Sequence, residues 1–331
     1  MNPRKRIWIT WENHRRTAEL ARLLPGVTLY VIEMKGPRCV RYACLMPRTL
    51  CVLFRCRPGL VFVQNPSVVL ALLTVLIRPV FRFRVVVDSH NEGLKPFYSR
   101  HNWLLPFYRW IQKGADLTIV TNEQLAKEVA FNKGRPFVLE DPIPQLNPTA
   151  ATPLRGTYNI VFVCTFEKDE PYREVIESAH YLDASICIYI TGRYQKAEAH
   201  VIGRSPGNVH FCGHLPEQEY VNLLHASDAV MDLTLMQDCL VCGAYEAVAL
   251  EKPVILSDTF VLRNYFYKGA VFTRNNAQSI SSSVKRTIQD RRRLGREVGE
   301  LKKELKSQWK AKHQALLGIA ENLASYGVIA Q

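Results

Sequence analysis

The chain has 331 residues, of which 47% are apolar and 22% charged, with 43 Lys and Arg against 30 Asp and Glu. This is a globular composition at a length where a single core rarely keeps growing, so two domains are expected. The longest apolar run, Val68 to Ile77, is roughly ten residues and too short to span a bilayer. The start, Met1-Asn2-Pro3-Arg4-Lys5-Arg6, leads straight into a strand-like segment and does not read as a secretory signal.

In chain order, short apolar segments bounded by turn residues predict strands at Arg6–Thr10, Val27–Ile32, Leu60–Gln64, Arg84–Asp88, Leu117–Thr121 and Phe137–Leu139. Helices are predicted between them at Arg15–Leu24, Ser67–Ile77, Trp103–Lys113 and Glu123–Phe131. Asp141-Pro142-Ile143-Pro144 to Thr152-Pro153 reads as a linker. A second series of strands follows at Asn159–Val163, Ile186–Thr191, Val209–Phe211, Ala229–Leu233, Val254–Leu256 and Ala270–Thr273. Its helices are predicted at Tyr172–His180, Glu217–Ala226, Ala244–Leu250 and around Gln278–Arg293. A charged helical region from Arg296 to about Ala324 places Trp309, Leu316, Ile319 and Leu323 on one face. Strand–helix alternation of this kind means parallel sheets covered on both faces, an α/β fold.

The basic excess is confined to one half. Residues 1–150 carry 22 Lys and Arg against 10 Asp and Glu, net +12, and the remainder 21 against 20, net +1. Nucleic acid, an anionic membrane surface or a phosphorylated substrate would each suit such a half. The nine cysteines are an odd number and fall mostly in strand-like segments (Cys164, Cys187, Cys212), as expected of small buried side chains in a reducing compartment. Cys239 and Cys242 form a lone Cys-x-x-Cys with no second pair, and no zinc site is expected there.

The most informative stretch runs from Asp238 to Ile255, Asp-Cys-Leu-Val-Cys-Gly-Ala-Tyr-Glu-Ala-Val-Ala-Leu-Glu-Lys-Pro-Val-Ile. A helix beginning near Gly243 points unpaired N–H groups and its positive dipole end at the preceding turn, which suits a phosphate. Glu246 then lies one turn inside, placed to accept from the vicinal hydroxyls of a ribose. Together they describe a nucleotide-sugar site. No Asp-x-Asp, no G-x-x-x-x-G-K-[ST] and no G-x-G-x-x-G occurs, so the usual metal-diphosphate, triphosphate and dinucleotide motifs are missing.

Asp238 and Glu246, eight positions apart in a Glu-Ala…Ala…Pro-Val frame, resemble the acidic-x7-acidic motif of GT-B glycosyltransferases, especially family 4. The first acid is Asp in place of Glu, and the glycine turn is reduced to Gly243. The resemblance implies two Rossmann-like parallel-sheet domains facing across a cleft. Residues 1–150 would bind the acceptor, 151–308 would bind the donor, and 309–331 would form a helix crossing back to the first domain. It also implies a metal-independent hexosyltransferase with no cofactor beyond its nucleotide-sugar substrate.

Val63-Gln64-Asn65-Pro66, Asp88-Ser89-His90-Asn91-Glu92-Gly93 and the acidic loop Glu167-Lys168-Asp169-Glu170 look more like the chitobiosyl-diphospho-dolichol β-mannosyltransferase branch. In family 4 an Arg and a Lys at the second-domain entry bind the diphosphate. Here Thr165 stands for the Arg, and Lys168 and Arg193, the latter after Gly192, are the nearest substitutes. Gly213, in Asn208–Leu215, occupies the turn that meets the nucleobase in the family. His90 is the leading candidate base, with Glu92 and Glu12 as alternatives. Arg15, Arg16 and Asn91 are candidates for the acceptor.

The reading is therefore a transferase using a UDP- or GDP-sugar. Its acceptor would be a polyprenyl-diphosphate-linked or other glycan, in surface polysaccharide or glycolipid synthesis, on the cytoplasmic face of a membrane bound peripherally. A nucleotide-sugar epimerase of the same fold is the first alternative. A nucleic-acid-binding protein on an α/β scaffold is the second; no reading-head motif supports it, and no nucleic-acid partner is expected.

Overall fold

The computed structural model describes residues 4–65, 67–94 and 103–326, without the side chains of Arg15, Glu92 and Tyr326. Residues up to Asp141 together with those from Trp309 on form one compact unit, and Pro142–Gln308 form a second.

The first unit runs β1 (Arg6–Thr10), α1 (Arg15–Leu23), β2 (Val27–Val31), α2 (Arg38–Cys56), β3 (Leu60–Asn65), α3 (Val68–Phe81), β4 (Arg84–Ser89), α4 (Asn91–Leu94), α5 (Leu105–Gly114), β5 (Leu117–Val120), α6 (Glu123–Phe131) and β6 (Pro136–Val138). All its strands are parallel, in the order β2-β1-β3-β4-β5-β6. Every residue of β3 is buried, because helices cover both faces; this is why it opens with four consecutive apolar residues, Leu60 to Val63. On one face α2, α3 and α5 bury Leu45, Leu53, Leu70, Leu73 and Ile111 against Ile7, Val61 and Val85.

The other face packs Trp8, Phe62 and Val86 against Leu20 of α1, Leu24 just after it, and Leu316 and Ala320. Those last two belong to α12 (Ala277–Tyr326), a single helix of 50 residues where the sequence predicts two. Trp309, Ile319 and Leu323 join the same core. Trp309 Nε1 donates to the Glu140 carbonyl at 3.0 Å, and Lys312 Nζ lies 2.5 Å from Glu140 Oε1.

α2 has no counterpart in the sequence prediction. It carries Pro47 in its interior, and its core-facing residues Leu45, Thr49 and Leu53 are matched by apolar residues on the opposite side, so no single periodic face stands out.

The second unit runs β7 (Tyr158–Phe162), α7 (Tyr172–Ser178), β8 (Ile186–Thr191), α8 (Ala199–Gly203), β9 (Val209–Gly213), α9 (Glu217–Ala226), β10 (Ala229–Asp232), α10 (Cys242–Ala249), β11 (Val254–Ser257), α11 (Phe260–Tyr265) and β12 (Ala270–Thr273), followed by the first part of α12. Its parallel strands are ordered β12-β11-β10-β7-β8-β9. The order reverses between β1 and β3 in the first sheet and between β7 and β10 in the second. Open α/β sheets bind ligands outside the carboxyl ends of strands at such points.

Candidate functional site

In the first unit, the carboxyl ends of β1, β3 and β4 hold Thr10, Gln64, Asn65 and Asp88-Ser89-His90. Thr10 Oγ1 lies 2.7 Å from Gln64 Oε1. Asn65 ties two of the quoted motifs together: its carbonyl accepts the His90 N–H at 3.1 Å, and its Nδ2 donates to the Gly93 carbonyl at 2.6 Å. Position 93 must be glycine, since a Cβ there would stand 2.4 Å from the Asn65 carbonyl oxygen.

His90 is half-buried, its ring centred 5.1 Å from that of the exposed His14. Burial pushes its imidazole below the ordinary value despite the opposing pull of Asp88, so it is neutral near pH 7. Its Nε2 is buried without a protein partner, as are Thr17 Oγ1, Ser89 Oγ and Asn65 Oδ1. Four such atoms beside one sheet edge call for partners from outside the chain.

Arg16, a candidate for the acceptor, is turned toward the chain's own carboxylates. It is buried, donating Nε to Asp88 at 3.2 Å, Nη1 to Asp141 at 2.6 Å and Nη2 to the Leu139 carbonyl at 2.8 Å. Burial alone would raise the Asp141 carboxyl, but the Arg16 guanidinium outweighs it and holds that carboxyl below the usual range. Arg16 thus cross-links the strand ends, with four of its five N–H groups on the chain's own acceptors. Glu12 is exposed in the β1–α1 loop, 3.6 Å from Arg41. Asn91 is half-buried at the start of α4. The side chains of Arg15 and Glu92 lie outside the described residues.

In the second unit the same kind of edge collects carboxylates. Asp232 ends β10 and is buried; its Oδ2 accepts the Gly243 N–H at 2.7 Å. Burial pushes the Asp232 carboxyl well above its ordinary range against the pull of that N–H, and Glu170, Glu246 and Asp169 push the same way. A Cβ at Gly243 would meet Asp232 Oδ2 at 2.7 Å and Val163 Cγ2 at 2.8 Å, so only glycine lets α10 start this close to the sheet. The Gly243 amide expected to face a phosphate is therefore already engaged by the chain's own carboxylate.

Glu246 sits one turn into α10, half-buried, and Tyr220 Oη on α9 donates to its Oε2 at 2.5 Å. Asp238 lies half-buried in the β10–α10 loop. In the β7–α7 loop Glu170 accepts from Thr165 N and Glu167 N, both at 2.9 Å, which folds the acidic loop back on itself. Lys168 on that loop and Arg193 after β8 are exposed. Gly192 N–H donates to the Gly213 carbonyl at 2.8 Å, joining the two expected ligand-contacting turns at the ends of β8 and β9. An open groove of about 560 Å³ runs along the edge strand β9, lined by Arg155, Tyr189, Tyr194, His210 and Phe211.

Sequence reasoning missed Asp232, Tyr220, Ser89 and Thr17. Asp232 had a signal, an acid closing an otherwise apolar strand (Ala229-Val230-Met231-Asp232-Leu233). Tyr220 had none, because its pairing with Glu246 spans 26 positions.

No family model and no curated protein matches the chain. Solved structures do. Anabaena HepE, in complex with UDP and glucose, superposes with a TM-score of 0.75 at 13% identity, covering 97% of this chain and 100% of that one. Sucrose-phosphate synthase from Thermosynechococcus elongatus gives 0.77 at 12%, covering 98% and 100%. The chain has the GT-B fold. A putative UDP-N-acetylglucosamine 2-epimerase from Listeria monocytogenes is also similar, with a TM-score of 0.63 at 13% identity over 89% of this chain and 91% of that one.

Proposed function

We propose that this GT-B protein is a glycosyltransferase that moves a hexosyl group from a nucleoside diphosphate sugar to a glycan acceptor. The observation that carries the reading is Glu246, one turn inside α10 beside the β7/β10 reversal and oriented by Tyr220. One carboxylate oxygen bonded to the phenol leaves a fixed geometry for vicinal ribose hydroxyls. HepE has been solved with UDP-glucose, which supports a UDP-linked donor; a GDP-linked one fits the same chemistry.

In the proposed reaction an acceptor hydroxyl oxygen bonds to the anomeric carbon while the bond from that carbon to the diphosphate oxygen breaks. The hydroxyl proton passes to the base, and the nucleoside diphosphate leaves. His90 is the proposed base: it is neutral, and its Nε2 has no protein partner. Leaving-group charge would meet the α10 start, Lys168 and Arg193 without a metal ion. Asp232 favours this only in its protonated form, the form its burial favours. A polyprenyl-diphosphate-linked acceptor at a cytoplasmic membrane face would account for the basic first half.

An epimerase acting on the nucleotide sugar alone is the second reading, favoured by the likeness to the Listeria protein. A thermal-shift panel of UDP, GDP, CMP and dTDP and their sugars tests the donor class. A binder at 100 times its dissociation constant stabilises by about 2.7 kcal/mol. No shift with any of them would overturn the proposal, and an epimeric sugar formed without acceptor would favour the second reading.

A further inference from the structure

The three helices on one face of the first sheet each present a second apolar stripe, turned away from the core. On α2 the exposed Val40, Pro47, Cys51 and Phe54 recur at spacings of seven, four and three, opposite the buried Leu45, Thr49 and Leu53. On α3, Leu76 and Val80 stand one turn apart, 56% and 79% exposed. Before and along α5, Trp103, Phe107 and Trp110 are four and three apart, with Trp103 68% exposed. α2, α3 and α5 share one buried core, so these stripes belong to one side of the unit. Large apolar side chains grouped in this way on a surface mark something that covers them.

Charge says what. None of the residues of α2, α3 or α5 is Asp or Glu. Arg38, Arg48, Arg55, Arg57, Arg82, Arg109 and Lys113 are exposed on or at the ends of these helices. Arg48 and Arg55, seven apart, flank the α2 stripe, and the Arg57 guanidinium lies 6.0 Å from the Phe54 ring centre. Asp116, just beyond α5, is buried and already paired with Arg78 at 3.2 Å and Arg84 at 2.8 Å. Exposed Trp, Phe and Leu interleaved with arginine and free of carboxylates form the surface of a protein that lies in the interface of an anionic bilayer. Among the described residues no helix is long and apolar enough to cross a membrane.

We infer that the α2–α3–α5 face is an interfacial docking surface for anionic lipid. Trp103, Phe107, Trp110, Val80 and Phe54 enter the headgroup region, and the arginines rest on lipid phosphates. This deepens the peripheral-membrane part of the reading above and does not depend on which sugar is transferred.

The test uses the full chain and two kinds of vesicle, pure phosphatidylcholine and an equal mixture of phosphatidylcholine and phosphatidylglycerol. Binding is expected to the mixed vesicles only and to weaken with salt. Each basic residue near such a surface contributes about 1 kcal/mol, so the triple variant Arg48→Gln, Arg55→Gln, Arg82→Gln should bind on the order of 100-fold more weakly. Lipids brominated in the acyl chain should quench Trp103 and Trp110. Trp103→Phe with Trp110→Phe should abolish that quenching while binding persists, since Trp8 and Trp11 are buried and Trp309 packs on the opposite face of the sheet.

Failure to bind the mixed vesicles at low salt would overturn the inference. So would binding without quenching, or an equal loss on neutralising Arg291, Arg292 and Arg293. A dimer that dissociates on Trp103→Ser, Phe107→Ser, Trp110→Ser with lipid binding unchanged would make the face a protein interface instead. Nucleotide-sugar binding measured on the same variants separates the outcomes: lipid binding lost with nucleotide shifts intact indicts this surface alone.

Discussion

The Asp232 carboxylate holds the Gly243 N–H at 2.7 Å, so the start of α10 is capped by a side chain from the strand beside it. A dianionic diphosphate arriving there would face this acid together with Glu170, Glu246 and Asp169, all of which raise its proton affinity.

Asp232→Asn should therefore keep the cap, through the amide oxygen, and remove the repulsion. A carboxyl whose folded pKa is raised binds its proton more tightly folded than unfolded. The wild type should lose stability as pH rises from about 4 toward the raised value, and the Asn variant should lose less. Nucleotide affinity of the variant should exceed wild type by a margin that grows with pH, on the order of tenfold at alkaline pH for a charge pair in partly screened surroundings. Melting temperatures and nucleotide titrations across pH check both. Parallel pH profiles for the two proteins would contradict this account.

Glu246→Ala should weaken donor affinity about 10- to 150-fold, the worth of a hydrogen bond to a charged group. Tyr220→Phe should weaken it several-fold only, because the carboxylate remains but swings free. Calorimetry on folded variants decides; an unchanged affinity in Glu246→Ala removes the ribose assignment.

His90→Gln should lower kcat by about 10²–10⁴ with a small change in donor affinity. Because burial depresses its pKa, the acid limb of kcat/KM should lie below about pH 6.5 in the wild type and vanish in the variant. The same depression means the unfolded chain takes up the proton first, so acid should destabilise the wild type more than the variant through that range. A wild-type acid limb that survives in His90→Gln would point to another base, Glu12 or Glu92 among them.

Transfer should persist in excess EDTA, since Lys168, Arg193 and the α10 start are proposed to take the leaving-group charge. Activity lost to chelator and restored by Mn²⁺ would show that account to be wrong.

The strands were legible because a sheet buried on both faces writes itself as short apolar runs, and all twelve strands among the described residues overlap predicted ones. α2 was illegible for the opposite reason: apolar residues on both its sides erase the period that identifies an amphipathic helix. At the candidate site, Glu246 and Gly243 could be found because their spacing lies within one local motif. The surroundings of Arg16 could not be read. Its partner Asp88 is 72 positions away, and only folding reveals that the guanidinium is buried against two carboxylates.

Trp309 closes onto Glu140 across 169 positions, and Leu316 and Ala320 cover the sheet face that holds Trp8 and Phe62. During synthesis the first unit's strands are complete long before that cover exists. At 5–20 residues per second the delay is roughly ten to thirty seconds. For that interval the part of this face not covered by α1 stays open to chaperones or to other nascent chains. The second unit, whose residues are contiguous, has no such wait. A released chain ending at residue 308 should thus have a protease-resistant second unit and a protease-sensitive first one, reversing the order in which they were made.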